Sequence, residues 1–114
     1  MHVLFIVLNR VDKLEDILEI MLKEGVKGAT ILDSQGMGSA IVHGNHNDIP
    51  MFGTLKSFFD RDHPYSKTIF TVIHNDQLLE EVTTVVQDYI DTKAAKNALF
   101  MFSMPIGKVY GLDD

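Results

Sequence analysis

Residues 25–38 read GVKGATILDSQGMG, and the way this stretch is divided decides the fold. Gly25 stands where a helix would end, because glycine takes the left-handed conformation of a helix C-terminus and Val26 follows in the place of the apolar contact that accompanies such a cap. Residues 29–33 (ATILD) read as a short strand. Gly36 and Gly38 flank Met37, a spacing that predicts a backbone turn with positive φ, open to close approach by another group. The stretch closes one helix, supplies one strand and opens a loop.

Upstream of it, residues 3–8 (VLFIVL) form an unbroken apolar run rich in β-branched residues, the pattern of a strand covered on both faces. Asp12 with Glu15 three residues later predicts a capping box at a helix start, and Leu14, Ile17, Leu18, Met21 and Leu22 recur at helical spacing. Downstream, residues 34–67 hold Gly36, Gly38, Gly44, Gly53, Pro50 and Pro64, which predicts a long irregular loop; within it residues 51–59 (MFGTLKSFF) are apolar enough to dock as a short helical turn. Residues 68–73 (TIFTVI) are a third strand. Asn75 or Asp76 then caps a second helix with Leu78 or Leu79, Val82, Val85, Val86, Tyr89 and Ile90 as its apolar stripe. Residues 91–97 read as a polar connector, residues 98–102 as the fourth strand, and residues 105–112 as an extended tail.

The order strand-helix-strand, loop, strand-helix-strand predicts a ferredoxin-like βαββαβ arrangement of the α+β class, with two helices on one face of a four-stranded antiparallel sheet. A single domain spanning residues 1–114 accounts for the length. The chain is 46% hydrophobic and 23% charged, enough to build a core. A net charge of −6 argues against a nucleic-acid backbone as partner. The absence of cysteine excludes disulfides, a thiolate nucleophile and Cys-ligated metal, and fits a cytoplasmic setting. The six apolar residues before Asn9 fall well short of the roughly 20 a membrane span requires, so no membrane insertion is expected.

The first strand is apolar at every position and the fourth nearly so, yet two helices cover only one side of a sheet. An apolar face of that size is rare on a soluble monomer, which predicts a closed homo-oligomer.

In the residues that carry this pattern, the chain resembles the PII signal-transduction superfamily of trimeric regulators. The likeness runs from the first strand through LEDILEIMLKEGVKGATI, the Gly36-Met37-Gly38 turn, TIFTVIHND and the ending PIGKVYGL. The resemblance implies a homotrimer with its sheets facing inward, a small ligand such as an adenine nucleotide in clefts between subunits, and a partner protein contacted through the long loop. Carried over residue by residue, it points to Thr30, Gly36, Met37, Gly38, Lys93, Lys96 and Lys108 as ligand contacts. The connector DTKAAKN lacks the family's glycines, Lys108 stands where the family has an arginine, and Gly111 takes the next basic position. Arginine makes planar two-point contacts with phosphate that lysine does not reproduce, so these departures predict a divergent member with weak nucleotide binding or another ligand.

An alternative function lies in the loop, where His43, His46 and Asp48 could serve as metal ligands in a CutA-like trimeric metal-binding protein. Solvated loop residues are the plainer reading of that cluster. His74 reads as a strand-end residue and His63, before Pro64, as turn chemistry. No activated-serine motif or P-loop is present, and Asp60 and Asp62 lack an apolar pocket that would split their pKa values, so no enzyme is expected.

Overall fold

A computed structural model describes residues 1–43, 65–93 and 97–112. The first strand, β1 (His2–Leu8), leads through a 3-10 turn (Val11–Lys13) into α1 (Leu14–Glu24). Strand β2 (Thr30–Ser34) and a short helix α2 (Met37–His43) follow, and the chain then gives β3 (Ser66–Ile73), α3 (Asp76–Lys93) and β4 (Leu99–Pro105).

The sheet order is β2-β3-β1-β4 with every neighbouring pair antiparallel. This is the ferredoxin-like α+β arrangement expected from the sequence. β1 lies in the interior of the sheet, flanked by β3 and β4. Its alternate residues Leu4, Ile6 and Leu8 are fully buried with Ile69 and Ile73 of β3. Ile17 and Met21 of α1 and Val82 and Val86 of α3 close the same core. Each such side chain removed from water contributes about 1.5–3 kcal/mol.

The intervening residues point to the other side of the sheet. Register places Phe5 directly between Phe70 and Phe102, and the ring centroids lie 5.8 and 5.0 Å apart. Phe100 continues the row at 6.3 Å from Phe102. No helix among the described residues covers this side: Phe100 is 55% exposed, Phe102 46% and Met104 45%.

Gly25 ends α1 in the left-handed conformation, with φ at 108°. The Val26 N–H reaches back to the Met21 carbonyl at 2.9 Å, and Val26 itself is buried, so the expected cap is formed in full. Asn75 caps α3 by accepting the Leu78 N–H at 2.7 Å.

Four local expectations are corrected. Asp12 does not cap α1; its carboxylate is held by Arg10 through two bonds of 3.0 and 2.9 Å, and the helix starts through the 3-10 turn instead. The turn expected at Gly36–Gly38 is the start of α2, where the Gly36 carbonyl accepts the Ala40 N–H at 2.9 Å and Gly36 has no positive φ. The long loop therefore begins with a helix, and the docking segment read at residues 51–59 lies outside the described residues. The polar connector is helical as far as Lys93, because its side chains support a helix surface: Gln87 donates to Asp91, four residues on, at 2.9 Å.

Candidate functional site

The two strands at one edge of the sheet start and stop at different levels. β2 begins at Thr30, opposite Phe70, whereas β3 runs on to Ile73. Beyond Thr30 the chain leaves the sheet, because residues 25–29 are bent away by the Gly25 cap and anchored by Val26 in the core. A cleft of about 690 Å³ opens in this notch.

Its walls come from four places. Gly28 and Thr30 belong to the linker and the start of β2, and Phe70, Thr71 and Val72 to β3. His74 comes from the junction between β3 and α3, Leu78 from the first turn of α3, and Leu112 from the segment after β4. The linker is fixed by Thr71, whose hydroxyl donates to the Gly28 carbonyl at 2.6 Å. The surface is mostly apolar, and Lys27 is the one lysine among its lining residues. Such a cleft suits a ligand with a neutral, planar or apolar portion and a few directed hydrogen bonds.

A second, shallower groove of about 390 Å³ runs between α1 and α3, lined by Lys13, Asp16, Lys23, Tyr89 and Lys93 among others. Here the Tyr89 hydroxyl donates to Asp16 at 2.5 Å, tying the two helices together. Burial and then that bond to a carboxylate push the Tyr89 phenol up to about 12. At the rim, Arg10 holds the Asp12 carboxyl below the usual range and is itself raised by the same pair.

The residues expected to bind ligand are spread across the chain. Thr30 lines the large cleft. Gly36, Met37 and Gly38 lie past the far end of β2, about 13 Å or more from Thr30 at the usual strand rise. Lys93 sits in the helix groove, and Lys108 is exposed after β4, at the end of the sheet nearer Thr30. Lys96, His46 and Asp48 lie outside the described residues; His43 ends α2, but its side chain is not described. Among the described residues no group of three His, Asp or Glu side chains is placed to hold a metal ion. One chain thus does not bring Thr30, Gly36, Lys93 and Lys108 together.

Reading the sequence alone missed Gly28, Thr71, His74 and Leu112 as cleft residues. The linker between the Gly25 cap and β2 was the available signal, since residues that neither continue a helix nor pair in a sheet must border something.

A sequence profile of the family described as Nitrogen regulatory protein P-II matches residues 1–113. The fold is also similar to a solved structure described as a PII-like signaling protein from Thermus thermophilus, at a TM-score of 0.51 and 15% identity, covering 90% of this chain and 83% of that one. Among curated proteins, none matches this sequence at a significant level. No helix among the described residues is long and apolar enough to cross a membrane.

Proposed function

The chain belongs to the nitrogen regulatory protein P-II family, a regulatory family, and from that premise we propose that it is a homotrimeric sensor acting through a bound ligand rather than a catalyst. Three copies turn their open sheet faces inward. A small ligand of the adenine-nucleotide class binds between subunits, with Thr30 on one wall and Gly36, Met37 and Gly38 of a neighbouring copy on another. Lys93, Lys96 and Lys108 are the cations available to its phosphates, and the segment between β2 and β3 carries the signal to a partner protein. The setting is cytoplasmic.

The observation that carries this reading is the uncovered aromatic row. Phe5, Phe70, Phe102 and Phe100 line one side of the sheet with no helix over them among the described residues. Covering that row against other copies brings separate chains side by side, and the family residues scattered over one chain then have a route to a shared site. Ligand contacts that differ between two arrangements of the β2–β3 segment would shift its population and change what a partner encounters.

Titration calorimetry with ATP, ADP and AMP, alongside light scattering of the same sample, tests the proposal. A trimeric mass and saturable binding of at least one nucleotide are expected. A monomeric mass at micromolar concentration, or no heat with any nucleotide and no change in partner association on loss of the β2–β3 segment, overturns it.

A further inference from the structure

Between the end of α1 and the start of β2 the chain is held firmly at two points. At one, Val26 is buried in the core and its N–H reaches the Met21 carbonyl at 2.9 Å. At the other, Thr30 pairs with Phe70 in the sheet. Residues 27–29 between them belong to neither helix nor strand, are exposed, and supply part of the cleft wall. Among the described residues a single hydrogen bond reaches them, from the Thr71 hydroxyl to the Gly28 carbonyl. Nothing lies within 4 Å of the place where a Gly28 Cβ would stand, so close packing does not fix this point either. The donor is in the opposite condition. Thr71 is 5% exposed and sits on interior strand β3, paired with Leu4 of β1. A fixed hydroxyl thus holds a stretch of backbone that has no second tie.

We infer that residues 27–29 form a hinged flap on the cleft and that Thr71 is the positioning residue that keeps the flap in place. The inference rests on the reading of this cleft as a ligand site. With the bond made, Lys27, Gly28 and Ala29 stand as one wall; with it broken, the same three residues swing between their anchors at Val26 and Thr30. A ligand meets the complete wall only while the latch holds, so its apparent affinity falls with the fraction of molecules in that arrangement. One hydrogen bond of ordinary net strength shifts that equilibrium by roughly two- to ten-fold.

The test uses the intact protein as wild type, Thr71→Val and Thr71→Ser. Valine keeps the branched shape and deletes the donor, whereas serine keeps the donor. Backbone amide relaxation is followed by NMR without any ligand. Order parameters at residues 27–29 are expected to fall in Thr71→Val and to match wild type in Thr71→Ser. In calorimetry with ADP, Thr71→Val is expected to bind roughly two- to ten-fold more weakly than wild type, and Thr71→Ser about as tightly as wild type. Unchanged order in Thr71→Val, or an equal loss of order in both variants, overturns the latch. ADP binding by Thr71→Val as tight as that of wild type overturns it as well. If order falls in Thr71→Val alone but ADP binds none of the three proteins, the latch stands and the nucleotide reading of the cleft fails.

Discussion

The Thr71 hydroxyl donates to the Gly28 carbonyl at 2.6 Å, joining the last part of β3 to a linker that has already left the sheet. The two residues are far apart in sequence, and the bond is half-buried: Thr71 is only 5% exposed, whereas Gly28 lies on the exposed linker. It is the point at which the cleft floor is set. Thr71→Val keeps the shape but removes the donor to the Gly28 carbonyl, and the loss of one such bond costs about 0.5–1.5 kcal/mol. Thr71→Ser retains the donor and should fall well under 1 kcal/mol beyond the lost methyl. Urea denaturation of the three proteins checks this. Equal loss in both variants would show that packing, and not the hydrogen bond, holds the linker.

Gly25 and Gly28 lie three residues apart and should respond differently to the same change. At Gly25 an added Cβ would meet Leu78 no closer than 3.8 Å, so space is not the obstacle. The obstacle is its φ of 108°, and a left-handed conformation costs an ordinary residue about 1–2 kcal/mol. Gly28→Ala has nothing within 4 Å of the new methyl and no positive φ. Thermal unfolding should therefore show a loss of about 1–2 kcal/mol for Gly25→Ala and little change for Gly28→Ala.

The features legible in the sequence were those decided by near neighbours. β1 could be recognised because residues 3–8 are apolar without a break and rich in β-branched side chains. The Gly25 cap and the Asn75 cap could be recognised because each is a local match between one residue and a helix end. Asp12 misled because Arg10, two residues before it, offers a two-point ion pair that competes with the helix N-terminus. The start of α2 was hidden by Gly36 and Gly38, since each glycine lowers helix preference by about 1 kcal/mol and reads as a turn. Of the cleft, the sequence showed Thr30 and the unpaired linker after Gly25, but not its shape. The cleft exists because β2 starts level with Phe70 while β3 continues to Ile73, and that offset is set by pairing between distant segments. Leu112 lines the same cleft from still further along the chain.

Tyr89 gives the fold a weakness at high pH. Its folded value of about 12 lies above the ordinary tyrosine value of 10.0, because burial and the bond to Asp16 favour the neutral phenol. Below pH 10 both folded and unfolded chains keep the proton, and the contribution is fully present. As pH rises from 10 toward 12 the unfolded chain ionises first, so stability falls across that window. Tyr89→Phe cannot ionise and should flatten this part of the pH–stability curve, at some loss near neutral pH from the missing bond to Asp16. A curve of unchanged slope in the variant would mean that another group controls alkaline unfolding.

Phe102 tests the assembly because it is costly to alter only if another chain covers it. In the single chain it is 46% exposed and stacks on Phe5 at 5.0 Å, so Phe102→Glu leaves the carboxylate a path to water and the fold intact. If copies pack their sheets together, the same carboxylate is enclosed without a partner, which disfavours association by about 3–5 kcal/mol. Leu22→Glu provides the control, since Leu22 is 68% exposed on α1, away from the open side of the sheet. Light scattering should then report a multiple of 12.8 kDa for wild type and Leu22→Glu, and a mass near 12.8 kDa for Phe102→Glu, with the circular dichroism of all three alike. Should Phe102→Glu keep the wild-type mass, the aromatic row faces water, and a ligand site shared between copies loses its physical basis.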